Sequence, residues 1–142
     1  MKEKAFANEL AEEFPQLVFK EGKRFSFRPP KTVILGPPQP YFGLLTLHEL
    51  GHALSGLYNA STHVSRIKIE SRAWQEAKRL CADHPEWTEK YGVEYDEDFA
   101  EANLDTYRDW LHIKSKCKKC GLTRLQDKKT QEYYCPICDL LK

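Results

Sequence analysis

The pentad His48-Glu49-Leu50-Gly51-His52 constrains the fold more than any other stretch, because it sets polar chemistry inside an apolar run from Tyr41 to Leu57. Phe42, Leu44, Leu45, Leu47, Leu50, Ala53, Leu54 and Leu57 predict a buried helix. On that helix the histidines stand four residues apart, so both imidazoles project from one face, with Glu49 about 100° round from His48. Two polar rings in an apolar interior are costly unless something binds them. Zinc meets that need: it takes neutral imidazoles, keeps a position open for water, and lets a neighbouring carboxylate receive the water's proton. His48 and His52 are therefore expected as zinc ligands and Glu49 as the general base.

The flanking chain predicts the order αβββα up to this helix. Residues 3–14 carry Phe6, Leu10 and Phe14 at four-residue intervals among charges, an amphipathic helix stopped by Pro15. Leu17-Val18-Phe19, a turn at Glu21-Gly22-Lys23, and Phe25 and Phe27 alternating with polar residues predict a β-hairpin. Thr32-Val33-Ile34-Leu35 predicts a third strand, closed by Gly36-Pro37-Pro38. Beyond a polar loop at 58–62, a helix is expected from about Ser65 or Lys68 to Cys81 or Ala82. Pro85 and Gly92 punctuate the next connection, and a further helix from about Glu97 to Ile113 should turn Phe99, Asn103, Tyr107 and Trp110 inward.

A catalytic zinc takes three protein ligands, so one more donor must lie downstream among His63, Glu70, Glu76, His84 and Glu101. Ala73, Trp74, Ala77, Leu80 and Cys81 form an apolar arc centred within roughly 20° of Glu70, whereas Glu76 lies about 100° away and Glu101 faces outward on its own helix. An inward carboxylate needs a partner, which favours Glu70. His63, in the loop after the pentad helix, is the alternative third ligand.

The segment from Thr46 to Leu54, followed by Ile69-Glu70-Ser71-Arg72-Ala73-Trp74-Gln75-Glu76-Ala77, resembles the ImmA/IrrE-type gluzincin metallopeptidases of phages and mobile elements. In that family the pentad is followed by a helix of pattern E-x-E-A-N/W-x-x-A whose glutamate is the third zinc ligand. The resemblance spans residues 25–111 and implies zinc on His48, His52 and Glu70, with Glu49 as base. It also implies a minimal zincin-like domain, with an N-terminal helix, a small, mostly antiparallel sheet whose edge holds an extended peptide, the pentad helix and a ligand helix. Arg72 stands where the family often has its second glutamate, leaving Glu70 in register. A weaker similarity is to SprT-like proteases, which join H-E-x-x-H to a C-terminal zinc ribbon, act on DNA-linked substrates and use a histidine as third ligand.

The end of the chain predicts a separate metal site. Cys117-x-x-Cys120 and Cys135-x-x-Cys138, fourteen residues apart, have the spacing of a four-cysteine zinc ribbon, with Gly121 after the first knuckle and a hairpin between the pairs. Residues 112–142 hold eight basic and three acidic side chains, a balance of +5, while 72–111 hold five basic and eleven acidic, a balance of −6. Lys118, Lys119, Arg124, Lys128 and Lys129, near Tyr133 and Tyr134, are candidate DNA contacts.

These observations predict an α+β chain, with residues 1–112 a zincin-like domain and 113–142 the ribbon, holding two zinc ions, one catalytic and one structural. The expected function is zinc-dependent hydrolysis of peptide bonds in a protein or peptide substrate, with the ribbon recruiting DNA or that substrate. The alternative is a nucleic-acid-binding or regulatory module whose pentad helix is inactive. At 30% charged residues, with no apolar stretch long enough to span a membrane and no signal-peptide core, a cytoplasmic location is expected.

Overall fold

A computed structural model describes residues 2–139; Met1 and residues 140–142, at the ends of the two expected domains, lie outside it. It mixes helices with small sheets, compatible with the α+β class: α1 (Lys2–Glu13), β1 (Val18–Glu21), β2 (Ser26–Arg28), β3 (Thr32–Leu35), α2 (Phe42–Ser55), α3 (His63–Asp83), α4 (Glu86–Tyr91), α5 (Glu97–Ser115), β4 (Leu125–Gln126) and β5 (Tyr133–Tyr134). Two compact units divide it, one running to Tyr58 and resuming over Ser71–Asp96, the other formed by Asn59–Glu70 and the chain from Glu97 onward. The division falls within α3, between Glu70 and Ser71.

In the first unit the three strands lie in the order β1-β3-β2, β1 parallel to β3 and β2 antiparallel to it. The expected hairpin of β1 with β2 is therefore wrong, and the sheet is mixed rather than mostly antiparallel. The hairpin joins β2 to β3, pairing Phe27 with Val33. Burial explains the exchange: Val33, Ile34 and Leu35 are all buried, so β3 takes the centre, while the half-exposed β1 and β2 take the edges. Ala7, Val33, Leu35 and Phe42 form a core cluster, with Phe19, Phe25 and Phe27 packed against it. The short helix α4, which no periodicity in the sequence announces, is anchored by Trp87, whose ring meets Phe6 of α1 edge to face at 5.2 Å.

The pentad helix buries Leu44, Leu47 and Leu50 and stops at Gly56, whose φ of 71° supplies the left-handed cap. The next helix starts earlier than expected, at His63, because the Thr62 hydroxyl accepts the amide of Ser65 at 3.1 Å and caps it. His63 is thus a first-turn residue, not a loop residue.

In the second unit α5 buries Ala100 and Leu104. The expected inward set is displaced by one residue around the helix: Phe99, Asn103 and Tyr107 are half-buried and Trp110 is 40% exposed. Antiparallel β4 and β5 form the expected hairpin between the cysteine pairs. Arg124 fastens it to the end of α5, its amide donating to the Ser115 carbonyl at 2.7 Å and its guanidinium to the Lys114 carbonyl at 2.8 Å.

Candidate metal centres

The helical repeat brings His48, Glu49 and His52 together as expected: a donor atom from each lies within 4.8 Å of the others. The imidazoles meet edge to face at 4.8 Å, and His48 Nε2 stands 3.9 Å from Glu49 Oε1. Both histidines are buried, while Glu49 is half-buried. Trp74 of α3 tilts against His48 at 4.3 Å, and Phe27 of β2 stacks over His52 at 6.3 Å. Apolar rings on both sides lower the local dielectric and strengthen any charge interaction there. Two imidazoles and a carboxylate this close are the donor set that zinc accepts.

Gly51 is the residue of the pentad that sequence reasoning left without a role. A Cβ there would collide with the backbone of Ala73, so glycine permits α2 and α3 to touch beside the histidines. The small residues Ala73 and Ala77, both fully buried, are the signal in α3 that pointed to such close packing.

Glu70 is buried at 3% exposure, as its helical phase predicted. Within the second unit its carboxylate stands 3.6 Å from Arg66 Nε, one turn earlier on α3, and its charge helps burial raise the Tyr107 hydroxyl pKa. Arg66 was legible as an i, i+4 partner of Glu70. Tyr107 was not, because its contact depends on how α5 packs. The alternative ligand His63 is held by the ribbon hairpin: its amide donates to Gln126 Oε1 at 2.7 Å, and its Nδ1 shares a hydrogen bond with the Tyr133 hydroxyl at 2.7 Å. Burial, reinforced by the charge of Lys114, lowers the His63 pKa.

Cys117, Cys120, Cys135 and Cys138 also come together, their sulfurs within 4.8 Å, with Cys120 and Cys135 3.5 Å apart. Gly121, at φ 78°, turns the chain out of the first knuckle and donates to the Cys117 carbonyl at 2.9 Å. The backbone amides of Cys120 and Lys119 hold the Cys117 thiol down at about 6, ready to be a thiolate. Hydrogen bonding to Cys120 and burial push Cys138 up to about 12: four thiolates this close require a cation. Asp139 supports the second knuckle by accepting the Cys135 amide at 2.6 Å. A four-thiol cluster of this size fits tetrahedral zinc.

The candidate DNA contacts divide. Lys118, Lys119, Lys128 and Lys129 are exposed. Arg124 is half-buried, spends its guanidinium on backbone carbonyls and sits over the Tyr133 ring at 5.0 Å. Tyr133 in turn is engaged by His63, whereas Tyr134 is exposed. Among the described residues no helix is long and apolar enough to cross a membrane. No family model, curated protein or solved structure matches the chain.

Proposed function

We propose that the chain is a zinc metallopeptidase of gluzincin type that hydrolyses peptide bonds, with a second zinc holding the ribbon together. The observation that carries the reading is the cluster of two buried imidazoles and a half-buried carboxylate on one helix, with donor atoms within 4.8 Å. His48 and His52 are the first two ligands. Glu70 is the third, on the strength of its helical phase and its burial. Zinc bound there supplies a Lewis acid that polarises a carbonyl and acidifies water.

The rest is done by the protein's own groups. Glu49 accepts the proton of the attacking water and returns it to the departing amine. Trp74 and Phe27 fix the imidazole planes and keep bulk water from them. A zincin-like plan similar to the ImmA/IrrE type accounts for this arrangement, and a regulatory protein in the cytoplasm is a fitting substrate.

Metal analysis and hydrolysis of an unfolded protein substrate test the reading together. Two zinc ions per chain are expected, and Glu49→Gln should keep both while losing about a hundredfold or more of the hydrolytic rate. A chain holding the ribbon's zinc alone, or a Glu49→Gln variant as fast as the parent, would overturn it.

A further inference from the structure

The second unit contains a cavity of about 550 Å³ that the metal chemistry leaves unused. His63, Arg66, Tyr107, Trp110 and Gln131 are among its walls, and its size suits a small ligand or one residue of a larger one. We propose that this cavity binds single-stranded nucleic acid, stacking one unpaired base on Trp110 and placing the adjoining phosphates on Arg66 and Lys114.

Three features converge on that ligand. Trp74 and Trp87 are 3% and 1% exposed, but Trp110 keeps 40% of its surface in solvent, and His63 braces its ring edge to face at 4.6 Å. An exposed, braced indole at the wall of a cavity is a stacking platform. Arg66, whose side chain is 56% exposed, is the only formally charged residue of the lining among the described residues; the buried Glu70 carboxylate, 3.6 Å from its Nε, is not part of the wall. Lys114 lies one turn beyond Trp110 on α5, near enough for its charge to act on His63. The balance of +5 over residues 112–142 attracts a polyanion to this end of the chain. Concavity selects the single strand, since a splayed base enters a cavity that a stacked pair cannot. An acidic peptide would satisfy the cations but make no use of the indole. The inference stands apart from the proposed ligands His48, His52 and Glu70 and the base Glu49, none of which lines the cavity, while His63, the alternative third ligand, serves here as a wall.

The test is titration of the full-length, zinc-loaded protein with a short labelled oligothymidylate, following label anisotropy and tryptophan emission. Binding should quench the emission of Trp110, and the salt dependence should have a log–log slope of about −1.4 for two neutralised phosphates. Trp110→Ala should abolish the quench and weaken binding about tenfold or more, Trp110→Phe should retain most of the affinity, and Lys114→Gln should reduce the slope by about 0.7. Unchanged tryptophan emission, a hairpin duplex bound as tightly as the single strand, polyglutamate quenching to the same extent, or a Trp110→Phe variant as weak as Trp110→Ala would each overturn the proposal.

Discussion

Gly51 shows how far one side chain, or its absence, reaches. Alanine is the better helix former by about 1 kcal/mol, so on propensity alone Gly51→Ala should stabilise α2. The new methyl would instead collide with the Ala73 backbone, which cannot rotate away as a side chain can. The expected outcome of Gly51→Ala is a loss of about 1–3 kcal/mol in denaturant unfolding, and a variant as stable as the parent would contradict the close approach of α2 and α3. Cys81 is the cysteine outside the ribbon, and burial, aided by the charge of Glu94, raises its thiol to about 11. So little thiolate exists at pH 8 that iodoacetamide should label it about a hundredfold more slowly than free cysteine, as mass spectrometry of the zinc-loaded protein would show. The pentad itself was legible at this scale because four-residue spacing on a helix is local geometry.

Among the elements, the start of α3 carries the most dependence on its neighbours. The Thr62 cap is a local device, and Thr62→Ala should cost about 1 kcal/mol in thermal or chemical unfolding. His63 is different, because its lowered pKa comes from burial and then from Lys114. With a folded pKa below the unfolded value of about 6.5, the unfolded chain binds more protons in that window. Stability is therefore fully present above the unfolded pKa and falls as pH drops through it. The drop in melting temperature between pH 7.5 and 5.5 should be smaller in His63→Gln than in the parent; an equal drop would remove His63 from the account. The strands teach a related lesson. Alternation in Phe25 and Phe27 was a sound sign of a strand, but Thr32–Leu35 inserted itself between the two expected partners because its continuous apolar face demanded the centre of the sheet.

On the scale of the whole molecule, each unit gathers a candidate metal-binding cluster, and the two should respond differently to loss of metal. The first unit has a hydrophobic core built on β3, α1 and α2. The ribbon has two-residue strands and little buried besides Cys117 and Cys135, so a metal must supply most of its folding free energy. After chelation, limited proteolysis should cut first within residues 116–139 while fragments containing α1, α2 and the sheet persist. Cys135→Ser should reproduce that pattern without chelator. Initial cleavage within α1 or the sheet instead would show that the ribbon's metal is not what orders it.

By itself the sequence determined whatever spacing along one element decides: the pentad helix, the inward phase of Glu70, the two cysteine knuckles and the hairpin between them. Tertiary structure alone decided which strand is central, why a glycine separates Glu49-Leu50 from His52, and that Arg124 and Tyr133 serve the ribbon's own packing. The physical reason is one of range. Helical phase and knuckle geometry arise among residues a few positions apart, whereas strand order, helix approach and the walls of a cavity arise from surfaces distant in the chain competing to be buried.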